Sequence, residues 1–136
     1  MKACQKKIIE IVARPTEGED IRSEFDRFLD LSRKEGWNEL KVLFGFAWGN
    51  YVYEHDWIEE VMSPNELQKK VQDAEMNGDG SISDDDLHIK VVATGRDYTF
   101  CHENDIHISG AIDDAYILDE AERFKSRGWK IYESKK

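Results

Sequence analysis

The chain is poor in the residues that staple, break or anchor a protein. It has two cysteines, Cys4 and Cys101, far apart and in no CxxC pair, so no disulfide framework can be read from it. No apolar run approaches the ~20 residues a membrane span needs. The opening Met-Lys-Ala-Cys-Gln-Lys-Lys lacks the apolar stretch of a signal peptide. These absences predict a cytoplasmic protein with reduced thiols. There is also no Gly-rich phosphate loop, no Ser/Cys–His–Asp order and no nucleophile elbow, so the familiar signatures of nucleotide binding and nucleophilic catalysis are missing.

Positive charge is scarce as well. Lys and Arg number 19 against 29 Asp and Glu, a net charge of −10. Polyanions attract basic surfaces, so neither nucleic acid nor an anionic membrane is expected as a partner. A basic protein, a cationic ligand or a metal ion fits better. The 136 residues suit a single domain over 1–136. At 40% apolar and 35% charged, with the apolar residues periodic, the chain reads as a folded domain with a strongly charged surface.

Local patterns set out the elements. "KKIIEIVA" (6–13) is β-branched and reads as a strand. From Glu19 to Lys34, the residues Ile21, Phe25, Phe28 and Leu29 share one helical face, and Gly36 offers a left-handed cap. "WNELKVLF" and "YVYEHDWI" read as the second and third strands. "SPNE" announces a helix, with Ser63 as N-cap, Pro64 at the first position and Glu66 completing a capping box. Leu67, Val71 and Ala74 form its apolar stripe. "DLHIKVVA" and "YTFCHENDIHI" flank the turn "TGRD". A last helix in "DDAYILDEAERFKSR" has Ile117, Leu118, Ala121 and Phe124 inward, and "GWKIYE" closes the chain. "KEGW" and "SRGW" are one capping solution used twice, since their flanking apolar positions do not align as a repeat. The order β-α-β-β-α-β-β-α-β predicts an α+β fold: a mixed, largely antiparallel sheet of about six strands, with three helices mainly on one face.

Two groups of residues could carry chemistry. "EMNGDGSISDDD" has nearly the spacing of a calcium loop, with Glu75, Asn77, Asp79, Ser81 and Asp86 in ligand places and Gly80 at the sharp turn. Glu is long for the first place, Asp86 is short for the last, and no second helix follows. A Gly-rich turn explains the same residues. The second group comes from pairing Ala93 with Tyr98 across "TGRD". Val91 then faces Phe100, Ile89 faces His102 and Leu87 faces Asn104 on an apolar side. The other side pairs Lys90 with Cys101, His88 with Glu103, Asp86 with Asp105 and Asp84 with His107. His88, Glu103, Asp105, His107 and Asp86 are thus candidate ligands for zinc, manganese or iron. A solvated polar sheet face is the plain alternative. His102 and Asn104 are expected to point inward and to need hydrogen-bond partners. Around His55, the stretch "FGFAWGNYVYEHDW", with Trp48, Tyr51, Tyr53 and Trp57, is the most aromatic in the chain and a candidate protein-binding surface if it is not core.

"DDDL" followed by "YTFCHENDIHI" resembles a pattern in small bacterial proteins of unassigned function. The acidic, aromatic-bearing composition is similar in general character to that of toxin-neutralising immunity proteins. The resemblance implies no activity and no site residues. The expectation is a non-enzymatic, acidic α+β interaction module that binds a basic protein. The alternatives are a metal-binding protein or small metal-dependent hydrolase using the 86–108 hairpin, and calcium binding by the 75–86 loop.

Overall fold

The computed structural model describes residues 7–44 and 59–135. In chain order these form β1 (Ile8–Arg14), α1 (Arg22–Glu35), β2 (Leu40–Phe44), β3 (Glu60–Met62), α2 (Pro64–Met76), β4 (Leu87–Val91), β5 (Asp97–Phe100), β6 (Ile106–Ala111), α3 (Ala115–Ser126) and β7 (Lys130–Lys135). The strands make one seven-stranded sheet in the order β3-β2-β4-β5-β6-β1-β7. Every strand pairing among the described residues is antiparallel, so there the sheet is not mixed. Among the described residues the expected order of strands and helices holds, with seven strands in place of six. The expected strand "YVYEHDWI" (51–58) lies outside the described residues; the strand seen before α2 is β3.

The extra strand comes from "YTFCHENDIHI". Polar residues 101–105 turn the chain between β5 and β6. The Cys101 N–H donates to the Asp105 carbonyl at 2.9 Å, and the Asn104 N–H donates to the Cys101 carbonyl at 3.0 Å. Asn104 sits at φ 59, a left-handed conformation that Asn tolerates better than most side chains. The turn before β5 also differs from expectation. It spans 92–96, with the Val91 N–H donating to the Arg96 carbonyl at 2.9 Å and the Gly95 N–H to the Val91 carbonyl at 2.8 Å. Phe100 therefore faces Leu87, not Val91, and His88 faces Thr99, not Glu103. The register moves by an even number of residues, so the inward set within the strands survives.

Alternation is clear along the strands. Ile9, Ile11 and Ala13 of β1, Leu87, Ile89 and Val91 of β4, Tyr98 and Phe100 of β5, and Ile106 and Ile108 of β6 are all buried. The helices cover that face. Phe25 and Phe28 of α1 meet Phe100 and Tyr98, with ring centroids 5.3 and 4.6 Å apart. Leu67, Val71 and Ala74 of α2 are buried as expected. In α3, Ile117, Ala121 and Phe124 point inward, but Leu118 is 45% exposed and Glu120 takes a buried place. Among the described residues no helix is long and apolar enough to cross a membrane.

The caps follow the sequence. Ser63 and Glu66 make the full capping box. Gly36 closes α1 at φ 73, with Trp37 donating to the Ser32 carbonyl at 2.9 Å. Gly128, at φ 84, repeats the device after α3: Trp129 donates to the Phe124 carbonyl at 3.1 Å and stacks on its ring at 5.1 Å. A Cβ at these two glycines meets nothing within 4 Å, so only backbone strain opposes substitution. Gly36→Ala and Gly128→Ala should each lower unfolding free energy by roughly 1–2 kcal/mol in urea melts, with unchanged circular dichroism.

Candidate functional site

The face of the sheet away from the helices carries one row of side chains across five strands: His88, Thr99, His107, Val12 and Tyr132. Beside it, the β5–β6 turn brings Cys101 and Asp105 up next to Arg14. These elements enclose an open groove of about 480 Å³ lined by Val12, Arg14, Cys101, Glu103, Asp105, His107 and Tyr132.

Asp105 is the unusual member. It is only 2% exposed although it lies on the polar face. Its carboxylate takes an Arg14 N–H at 3.3 Å and lies 3.1 Å from His107 Nε2. His107 Nδ1 lies 3.8 Å from Glu10. A buried carboxylate needs such partners, because leaving it uncompensated costs several kcal/mol, on the order of the desolvation penalty of an ion. Cys101 completes the cluster: its sulfur, a carboxylate oxygen of Asp105 and a ring nitrogen of His107 lie within 4.8 Å of one another. Burial, with Asp105 and Asp86 nearby, pushes the Cys101 thiol up to about 11. That direction is opposite to the one that activates a nucleophilic cysteine.

A second trio shares the same sulfur. Asp86, Cys101 and His102 also place one ligand atom each within 4.8 Å. Asp86 accepts from the His102 backbone N–H at 2.7 Å and lies 2.8 Å from His102 Nδ1. These residues can hold a metal ion. His102, expected inside, is exposed, because the turn at 101–105 swings it out of the strand alternation. Asn104 finds the partners expected of it: it accepts from the Ile21 N–H at 3.1 Å and donates to the Glu19 carbonyl at 3.0 Å, tying the turn to the start of α1.

Of the five ligands expected on the hairpin, the fold joins Asp105 with His107 and puts Asp86 near Cys101. The others are placed elsewhere. His88 shares a hydrogen bond with Thr99 at 3.1 Å, and exposed Glu103 lies on the groove wall. The expected oppositions of Asp86 with Asp105 and Asp84 with His107 are replaced by Phe100–Ile106 and Thr99–His107 pairs, because the turn intervenes. Asp84 instead accepts from the Ser81 hydroxyl at 2.9 Å.

The 75–86 loop is held by its own groups. Glu75 accepts from the Ile82 N–H at 3.1 Å and pairs with Arg22. Asn77 caps α2, Asp79 donates its N–H to the Ala74 carbonyl, and the Ser81 N–H goes to Asp85 at 2.8 Å. Glu75 and Asp86, the two ends of a calcium loop, are thus committed to different partners. The aromatic stretch around His55 lies outside the described residues except for Phe44, which is buried.

The sequence reading missed a polar network under the helices. Glu24 of α1 takes Arg123 at 2.9 Å and also Arg127. Glu120 of α3 takes Arg27 at 2.7 Å and Arg123 at 3.0 Å. Tyr98 donates to Tyr116 at 3.0 Å, and Tyr116 donates to Glu120 at 3.3 Å. Burial alone would raise the Glu120 pKa, but Arg123 and Arg27 outweigh it and hold the carboxyl below its usual value. The only sequence signal was Glu120 three residues after Ile117 and four before Phe124, on the apolar stripe. The network clamps α1 to α3 and leaves about 10 Å³ beside it, space for a single water at most.

Two outcomes test these electrostatics. Glu120→Gln should cost about 2 kcal/mol in urea melts, below the ~3–5 of a fully buried pair because the arginines stay partly in water. His102 has its pKa raised above the ordinary 6.5, chiefly by its hydrogen bond to Asp86. Burial alone would raise Asp86, but the His102 bonds bring it below 3.8. The pair's stabilisation is therefore fully present between those ordinary values. It is lost as pH rises through the raised histidine pKa or falls through the depressed aspartate pKa. An NMR titration with chelator should place the His102 midpoint above 6.5, and Asp86→Asn should bring it back down.

Compared with family models, with curated proteins and with solved structures, the chain returns no match in any of the three.

Proposed function

We propose that this protein is a non-enzymatic binding module whose uncovered sheet face engages a basic protein partner. The observation that carries the reading is the groove itself: four carboxylates gather around it in a chain of net charge −10. Asp105 and Glu103 line it, Glu10 borders it through His107, and Asp86 reaches its Cys101 wall. Val12 and half-exposed Tyr132 supply an apolar and aromatic floor. An aromatic anchor ringed by acids suits an inserted Arg or Lys, which can stack on the ring and pair with the carboxylates. Arg14 now fills that role from within the chain, 5.8 Å from the Tyr132 ring and 3.3 Å from Asp105. The raised thiol pKa at Cys101 favours binding over nucleophilic chemistry. A cytoplasmic location with Cys101 reduced belongs to the same proposal.

Metal binding is the second reading, favoured by the two trios around Cys101. Sulfur and imidazole suit zinc better than manganese or calcium, which prefer oxygen. The 75–86 loop gives calcium less support, since Arg22 and the Ile82 N–H occupy Glu75.

For the leading reading, a partner captured at low salt and identified by mass spectrometry should present a basic contact surface. Its affinity should fall as salt rises. Glu103→Lys and Tyr132→Ala should each weaken it by about tenfold or more, with unchanged melting temperature. A complex indifferent to salt and to both substitutions would overturn the reading.

A further inference from the structure

Metal binding on the open face can be taken further, to one site and one class of ion. We propose that Cys101, Asp105 and His107 form a site for a thiophilic divalent ion of the zinc class, with the groove supplying the fourth position. The inference rests on the metal-binding reading above.

Three observations support it. First, the donors are of three kinds, a sulfur, an imidazole nitrogen and a carboxylate oxygen, all within 4.8 Å of one another. Bonds of about 2.0–2.3 Å from one ion can gather such a set with small side-chain rotations. Second, the frame is built before any ion arrives. Cys101 and Asp105 stand at the two ends of one turn, closed by the Cys101 N–H to the Asp105 carbonyl at 2.9 Å. Asn104 inside the turn is pinned to the start of α1 from both ends of its amide. His107 is two residues further on, in β6, paired with Thr99 and Val12 on either side. Ligands on a rigid frame lose little freedom on binding.

Third, the charge is arranged to be exchanged. Asp105 is almost fully buried, and the Arg14 side chain that pairs with it is 49% exposed. Arg14 can withdraw into water when a divalent ion takes its place, so the carboxylate is never left alone. Asp86 and His102 share the same sulfur in the second trio and are already hydrogen-bonded to each other at 2.8 Å. They do not bind the ion themselves and stay beside the ligands, as outer partners do at other metal sites.

Cobalt(II) reports the ligands directly, because a thiolate on cobalt gives a near-ultraviolet charge-transfer absorption. The full chain carrying Cys4→Ser leaves Cys101 as its one thiol. It should bind one cobalt with that absorption, and zinc should displace it. Zinc should raise the melting temperature by mass action, and calcium and manganese should not. Cys101→Ser and His107→Ala should abolish the absorption. Each should weaken zinc by at least the roughly 10–100-fold typical of losing an outer partner. Asp86→Asn and His102→Ala should keep the absorption. Melting with chelator checks that every variant folds. Cobalt bound without the thiolate band, binding that survives Cys101→Ser, or loss with His102→Ala in place of His107→Ala would overturn this site and leave metal binding standing. No binding or melting shift with any of the four ions would overturn both.

Discussion

The arrangement of the open face depends on one asparagine. Asn104 takes a left-handed conformation inside the turn between β5 and β6, and its amide bonds both the Ile21 N–H and the Glu19 carbonyl. These bonds hold the turn against the start of α1. That fixes where Cys101 ends one strand and where Asp105 enters the next. The groove, the buried carboxylate and the two trios around the sulfur follow from this placement. Without the turn, "YTFCHENDIHI" would run straight, His102 would point inward, and Asp105 would stand among solvated acids.

The two faces of the sheet handle charge differently. Under the helices, Glu24 and Glu120 are buried and shared among Arg27, Arg123 and Arg127, and Tyr98 and Tyr116 satisfy the remaining polar atoms. Every carboxylate there has a full set of donors, which makes the network a clamp between helices. On the open face, Asp105 is equally buried, but its cation is half exposed and its neighbour is a thiol. A buried anion with a detachable cation is a place where a ligand can substitute for a side chain. The same physics thus yields a structural joint on one face and a candidate binding site on the other.

Much of the architecture was legible in short-range pattern. The capping box at Ser63, the paired Gly caps at Gly36 and Gly128, and the stripe Leu67, Val71 and Ala74 each rest on contacts within a few residues. Period-two alternation likewise told which residues of β4 and β6 turn inward. The reading of α3 was less complete. Its apolar nature marks Leu118 as inward, while Glu120 holds the inward position because Arg27 and Arg123, distant or local, are there to receive it. Composition at a single position cannot report partners that another helix brings.

The sequence by itself determined the α+β class, the order of strands and helices, the inward face of the strands between 87 and 108 and the excess of acid over base. These follow from local backbone preference and from burial of apolar side chains, which neighbours in sequence decide. Tertiary structure alone decided the register of the 87–100 hairpin, the split that makes the seventh strand, and the meeting of Cys101 with Asp105 and His107. The register depends on the length of the 92–96 turn, and the split and the meeting depend on the 101–105 turn and its bonds to a segment more than eighty residues away. A turn of five residues in place of four, or a bulge, leaves the alternation of apolar residues almost unchanged. It still decides which carboxylate stands beside which imidazole.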